Sequence, residues 1–275
     1  MKIAELFDVR DVATIVTGGA SGIGLACAEV MHDNGARVCL VDRDEQAMAR
    51  AVEKLGSATG RVVAATGDVT DRTAMSTAID HAVKQFGRLD VAFINAGIGG
   101  GPGFMSISGA RNPQGAIENV PEDFWRTIVR GNLTSVFLTL QAVVPHMRNA
   151  GKGSIIVTTS VAGVKTENFV GHAYLASKAG AAHLVRQVAL ELARYNIRVN
   201  SMAPGATLTG IGNGRMHDPE VQRRFANANP MRRMALPDEI QGLALYLASP
   251  ASSYVTGAQF LIDGGGAAGM AELEL

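Results

Sequence analysis

The chain has 275 residues, 47% of them apolar, and 25 basic side chains against 25 acidic ones. That length supports one substantial core, and the balanced charge supplies no field that would draw the protein to nucleic acid or to an anionic membrane. Cys27 and Cys39 lie in apolar-patterned segments without metal-ligand spacing and read as reduced, packed thiols, so no metal site is expected. The N-terminus lacks an apolar run of signal-peptide length, the apolar runs elsewhere are each too short to span a bilayer, and the expected location is the cytoplasm.

Short β-branched runs alternate with segments of helical period. A strand is expected at Val12 to Thr17 and a helix at Gly22 to Asn34, then a strand at Arg37 to Asp42 and a helix at Glu45 to Leu55. The pattern continues with Val62 to Thr66 and Arg72 to Phe86, a strand at Val91 to Asn95, and helical segments from Glu122 to Arg148. Next come a strand at Ser154 to Thr159, a helix from Ala173 to Tyr195 and a strand at Arg198 to Ala203. A last helix, Asp238 to Leu247, precedes a strand at Gln259 to Ile262. Such alternation predicts βαβ units in an α/β doubly wound parallel sheet of about seven strands, forming a single domain over 1–275 with its core in 11–265.

Two stretches break the rhythm. Gly99 to Pro121 is rich in Gly and Pro, and Gly205 to Pro237 mixes Gly210, Gly212 and Gly214 with Met216, Phe225, Met231 and Met234. Both follow strand ends, where an open α/β sheet holds its ligands, so they are the candidate walls of a substrate site.

Between the first strand and the first helix lies Thr17-Gly18-Gly19-Ala20-Ser21-Gly22-Ile23-Gly24. Glycines there let backbone amides approach a pyrophosphate at the positive end of the helix. Asp42, 18 residues beyond Gly24, ends the second strand, where a carboxylate can accept from an adenosine ribose. A 2′-phosphate brought to about 4 Å from that carboxylate would meet up to ~4 kcal/mol of repulsion, which favours NAD over NADP. The adjacent Arg43 keeps NADP as the minority alternative.

Tyr174 and Lys178 would stand one helical turn apart on one face. A free phenol titrates near ~10, so work at neutral pH needs the phenolate stabilised by ~3 units, or about 4 kcal/mol, and a nearby cation acts in that direction.

With Thr17-Gly18-x-x-x-Gly22-x-Gly24, Asn95-Ala96-Gly97, Ser160 and Tyr174-x-x-x-Lys178 in this order, the chain closely resembles the short-chain dehydrogenase/reductase family from about Asp11 to Gly265. The resemblance implies a Rossmann-like fold and adds further residues. Asp68 and Val69 would contact adenine, Asn132 would support a water relay, and Pro204, Gly205, Thr207 and Thr209 would hold the nicotinamide end. Gly18, Ser21, Gly22, Ile23, Gly24, Asp42, Asn95, Ala96 and Gly97 complete the expected NAD site, which Tyr174 and Lys178 also touch. The tyrosine motif is not the Tyr-x-x-Met-x-x-x-Lys form of enoyl reductases.

Alcohol–ketone redox chemistry is therefore implied, on a small-molecule secondary alcohol such as a cyclic alcohol or diol. Tyr174 would be the base in oxidation and the acid in reduction, Lys178 would lower its pKa and bond the nicotinamide ribose, and Ser160 would donate to the developing oxyanion. Ser160 and Tyr174 are 14 apart, one more than the commonest family spacing, which leaves Thr159 as a rival for the serine role. The segment between Gly97 and Asn132 is about a dozen residues longer than in compact members. His172, with Asn168 and Phe169, is placed near the pocket, whereas His146, His183 and Trp125 read as packing or surface residues. The resemblance also implies a homotetramer built on the long helices and the C-terminal strand. Two other readings stand beside the dehydrogenase: an acyl-thioester ketoreductase, and a dinucleotide-binding sensor without turnover.

Overall fold

The alternating pattern folds into helices on both faces of a single sheet, across residues 2–56, 60–106, 108–211 and 214–269, which the computed structural model describes. Within the two glycine-rich stretches, Ile107, Gly212 and Asn213 lie outside the described residues, as do Met1, 57–59 and 270–275.

In chain order the elements are α1 (Ile3–Leu6), β1 (Ala13–Thr17), α2 (Gly22–Asp33), β2 (Arg37–Asp42), α3 (Glu45–Leu55), β3 (Val62–Thr66), α4 (Arg72–Phe86) and β4 (Val91–Ile94). They continue as α5 (Glu122–Val129), α6 (Ser135–Ala150), β5 (Gly153–Thr158), α7 (His172–Leu192), β6 (Ile197–Pro204), α8 (Pro219–Ala228), α9 (Gln241–Ala248) and β7 (Gln259–Ile262). Local signals set several boundaries. Asp44 and Asp71 accept the Ala47 and Ala74 amides at the starts of α3 and α4, and left-handed Gly56 and Gly87 end them.

Among the described residues seven strands make one sheet in the order β3-β2-β1-β4-β5-β6-β7, every neighbouring pair parallel. Successive residues of β1 serve opposite faces, as the period of two requires. Ile15 joins Met75, Ile79, Val136, Leu140 and Val185 from α4, α6 and α7. Val16 joins Leu40, Phe93, Met31, Met48 and Leu247 on the other face, under α2, α3 and α9. Strand order reverses between β1 and β4, which opens a crevice beyond Thr17 and Ile94.

Three features differ from the sequence expectation. The 205–237 stretch contains α8, a two-and-a-half-turn helix whose mostly polar sequence buries Val221. α5 and α6 are joined by a π-turn, Arg130–Thr134, into one helix from Glu122 to Ala150. By length and composition that joined helix could cross a membrane, which its separate apolar runs do not suggest. Its Val136, Leu140, Val143 and Met147 are buried in the core against the sheet. The strand expected to reach Thr159 ends at Thr158, which leaves Ser160 two residues past β5 at the start of a 3-10 turn.

Candidate active site

Backbone contact between two loops builds one end of the crevice. The Thr17 hydroxyl accepts from the Asn95 and Ala96 amides at 3.0 and 3.3 Å, tying the end of β1 to the segment after β4. Gly18 has φ +64°, and a Cβ there would come within 2.9 Å of the Ala96 Cα. A Cβ on Gly24 would overlap the Gly18 carbonyl oxygen, so α2 can start this close to the turn only with glycine. Ser21 offers no side-chain cap, which leaves the first amides of α2, at Gly22, Ile23 and Gly24, as donors for an anion. Thr209 lies against the Gly22 position, and Thr207 pairs with Ala235 while donating to the Gly205 carbonyl at 3.1 Å. Pro204 ends β6 and Gly205 follows it, and a Cβ on Gly205 would come within 2.9 Å of Asp263.

Asp42 reaches back to the glycine turn. Its Oδ2 accepts the Ala20 amide at 3.3 Å, and its Oδ1 accepts the amides of Arg43 and Asp44 at 2.8 and 3.1 Å. A carboxylate has about four acceptor positions, so about one is left for a ribose hydroxyl. Asp68 accepts the Thr70 amide, and that hydrogen bond holds its carboxyl below the ordinary range, against some opposing burial. Val69 packs against the core. These residues fit an adenosine dinucleotide: uncapped amides for its phosphates, and carboxylates at the ends of β2 and after β3 for its nucleoside.

The other end of the crevice is proton chemistry. Tyr174 sits in the first turn of α7, half-buried, with the Ser160 side chain close enough to act on its hydroxyl. Ser160 Oγ accepts the Ala162 amide at 3.1 Å, which leaves its own proton to be donated. The Lys178 amine lies 5.6 Å from the Tyr174 ring centre, is 4% exposed, and donates to the Thr158 carbonyl at 3.1 Å. Asn132, fully buried in the π-turn, clasps residue 98: Nδ2 donates to the Ile98 carbonyl at 3.0 Å, and Oδ1 accepts the Ile98 amide at 3.1 Å. A second Nδ2 bond goes to the Ile128 carbonyl at 3.1 Å, so one lone pair on Oδ1 remains for a water. Asn132 Oδ1 and the Lys178 amine both face Gly97, where a Cβ would stand 2.7 and 3.5 Å from them.

The expected pKa pattern is corrected here. Burial raises the Tyr174 pKa, opposed by the nearby Ser160 hydroxyl, and burial brings the Lys178 amine down to about 8. Tyr174 is therefore a protonated phenol beside an amine that itself titrates near neutrality. Spacing predicted proximity but could not weigh desolvation against charge. Thr159 is no rival to Ser160, because its hydroxyl donates to the Met202 carbonyl at 3.0 Å and accepts from Gln259 at 3.3 Å.

The 99–121 stretch packs directly on this cluster. Gly100 lies against Tyr174, where a Cβ would overlap the tyrosine Cβ, and a Cβ on Gly171 would overlap the Gly100 carbonyl oxygen. Gly103 and Met105 donate backbone hydrogen bonds to Phe169 and Asn168 at 3.2 and 3.1 Å, and Phe104 stacks on His172. Sequence reading identified His172 but not Phe104 or Gly100, since their partners are distant in the chain. A cavity of about 460 Å³ lies behind the stretch, lined by Pro102, Pro113, Val120, Pro121, Phe124 and His172. A larger one of about 580 Å³, between α3 and β3, is far from these groups. Neither has Ser160, Tyr174 or Lys178 in its wall; side-chain chemistry, not cavity size, marks the site. Trp125 is more than a third exposed instead of packed, His146 pairs with Asp80 at 3.2 Å, and His183 faces Arg186 at 3.0 Å. Cys27 and Cys39 are free and buried, which pushes both thiols up to about 12.

A crevice with free helix amides at one end and a serine, a tyrosine and a buried lysine at the other fits the class of dinucleotide-dependent oxidoreductases. Comparison with known proteins narrows the class. A family model described as Enoyl-(Acyl carrier protein) reductase matches residues 18–267. The chain is 34% identical to the 7alpha-hydroxysteroid dehydrogenase of Escherichia coli K12 over 92% of each chain. It is 36% identical to the cis-4-hydroxycyclohexanecarboxylate dehydrogenase of Sinomonas cyclohexanicum over 96% of this chain and 98% of the other. A crystal structure of a 7alpha-hydroxysteroid dehydrogenase complexed with NADH and 7-oxo glycochenodeoxycholic acid superposes with a TM-score of 0.85 at 32% identity over all of both chains. The chain belongs to the short-chain dehydrogenase/reductase family. Where the enoyl-reductase motif has its methionine and lysine, this chain has Ser177 and Ala181.

The depressed Lys178 pKa has a consequence for stability. Between about 8 and the ordinary 10.5, the unfolded chain holds a proton that the folded chain lacks, so stability rises with pH across that window. Lys178→Met should raise the unfolding free energy at pH 7 by on the order of 1 to 3 kcal/mol, the gain shrinking from pH 8 to pH 10.5. Urea unfolding across this range measures it; a variant less stable than the parent at pH 7 would contradict the buried charge.

Proposed function

We propose that the protein transfers hydride between NAD(H) and a secondary alcohol or ketone, with a cyclic alcohol or diol as the substrate class and Tyr174 as the acid/base. The observation that carries the reading is the buried Lys178 amine 5.6 Å from the Tyr174 ring centre, with the Ser160 hydroxyl close enough to act on the phenol. The relatives that the chain resembles are named for secondary alcohols on rings, a steroid and a cyclohexane, which supports the substrate class.

Bound at the uncapped start of α2, NAD would accept or supply the hydride and add positive charge near the tyrosine. In oxidation Tyr174, as the phenolate, takes the proton of the substrate hydroxyl, and the Ser160 hydroxyl donates to the substrate oxygen as it becomes a carbonyl. In reduction both transfers reverse. The resting phenol is held protonated by burial, so phenolate forms only when positive charge is gathered beside it, and the Lys178 amine is placed to contribute part of that charge. Asn132 holds the π-turn and residue 98 in register with the lysine, with one acceptor left for a water. Asp42 supports NAD over NADP, since the acceptor position left on it favours a hydroxyl and repels a phosphate.

The homotetramer belongs to the same proposal. Leu190 on α7, Phe137 on α6 and Leu261 on β7 are large apolar side chains left 77%, 43% and 46% exposed on the elements that would form its interfaces.

Tyr174→Phe should lower the turnover of a cyclic secondary alcohol by roughly 10² to 10⁴ while NAD affinity is largely kept, read from nicotinamide absorbance and from calorimetric titration. Near-full turnover in the variant would remove Tyr174 from the role. With both cofactors at equal concentration NAD should give the larger kcat/KM, and a preference for NADP would overturn the reading of Asp42. Light scattering should return four times the mass of one chain, and a monomer would defeat the tetramer.

A further inference from the structure

We propose that the rim of this site recognises a carboxylate on the substrate, set apart from the carbinol carbon, through the guanidinium groups of Arg111 and Arg224. The inference rests on the function proposed above and gives its substrate an anionic class.

The two arginines come from the two stretches that interrupt the βα rhythm. Residues 102–106 pair back on 108–112, with Met105 bridged to Arg111 and the Ser106 amide on the Ala110 carbonyl at 2.8 Å. The same stretch is pinned to the segment before α7 by the Gly103 and Met105 amides. Phe104 stacks on His172, two residues before Tyr174, with ring centres 6.1 Å apart and planes 13° from parallel. The Arg111 guanidinium carbon lies 5.7 Å from the centre of the Phe104 ring. From the other side, the guanidinium of Arg224 on α8 lies 4.4 Å over the Phe169 ring. Its Nη2 is 4.0 Å from where a Cβ on Gly109 would stand, so α8 touches the folded-back stretch. Arg111 thus stands on one wall, and Arg224 on the other reaches the stretch that carries it, near Gly109.

Neither has a carboxylate partner among the described residues; the aromatic ring is the recorded contact of each side chain. Lys165, on the same segment as Phe169, is different: it donates to the Gly266 carbonyl at 2.6 Å and pairs with Glu167 at 3.2 Å. Arg233 is likewise engaged by Glu239. A guanidinium held over a ring has its plane fixed while its N–H donors stay open around the edge, and that fork matches a carboxylate. Two such groups, one from each wall, are what would let this rim receive an anion beside a site for an apolar alcohol.

The test compares cis-4-hydroxycyclohexanecarboxylate with its carboxamide, a neutral molecule of nearly the same shape, using the full-length enzyme saturated with NAD. The parent should show a lower KM for the acid, by about 10 to 100-fold. Arg224→Gln and Arg111→Gln should each raise KM for the acid at least tenfold more than for the amide, with the loss in KM rather than kcat, and Arg224→Lys should recover part of the preference. Equal use of acid and amide by the parent would overturn the inference while leaving the dehydrogenase reading standing. Should neither compound be oxidised, calorimetric titration with cyclohexanecarboxylate and cyclohexanecarboxamide decides it: arginine-dependent preference for the acid sustains the receptor, and equal binding sinks it.

Discussion

A lysine amine held out of water with one carbonyl for a partner is the constraint around which the rest of the site is arranged. Lys178 is 4% exposed, donates to Thr158, and no carboxylate of the described chain pairs with it. Removing a cation from water without a counter-charge is costly, and the protein responds by letting the amine titrate near neutrality. Every close neighbour then has to be small or rigid. Gly97 leaves room between the amine and Asn132, the π-turn aims Asn132 at residue 98, and Gly163 lets the turn after Ser160 pass the Lys178 backbone. The fold tolerates this because two apolar clusters on opposite faces of the sheet supply the stability that the site does not.

The parallel sheet and the glycine turn were legible in the sequence because their causes are local. β-branched runs such as Arg37–Asp42 are buried between two layers of helix, and the need for glycine at 18 and 24 comes from a turn only eight residues long. The grouping of Ser160, Tyr174 and Lys178 was legible through a family pattern and a helical period. What escaped was set by contacts distant in the chain or by solvation. The pairing of 103–105 with 168–169 joins residues more than sixty apart. α8 escaped because its polar sequence buries little of itself, and glycines just before it read as loop. The direction of the Tyr174 pKa escaped because spacing carries no information about how much water a phenol loses.

The division of labour within the fold follows from which parts are over-determined. Groups proposed for proton transfer sit on α7 and just past β5, elements fixed by β5–β6 pairing and by the packing of Ala181, Val185 and Ala189 in the core. The walls over them are held differently, by a few backbone hydrogen bonds and ring contacts at the surface. Substitutions in those walls can reshape the pocket without moving the reacting atoms, and that is how one sheet supports many substrates.

Gly100 marks where the two regimes touch. Its backbone lies against Tyr174 and its carbonyl against Gly171, so the wall can approach the acid/base only along a path without side chains on either surface. This contact makes the wall sense the position of α7, although its outer end, at Arg111, is exposed and less constrained. A substrate gripped at that outer part would be placed relative to Tyr174 through four residues of backbone, Gly100 to Gly103, three of them glycine. The rigidity this needs cannot come from those glycines themselves. It comes from the hydrogen bonds of Gly103 and Met105 to the segment before α7 and from Phe104 stacked on His172, so that recognition at the rim and proton transfer at Tyr174 are referred to the start of the same helix.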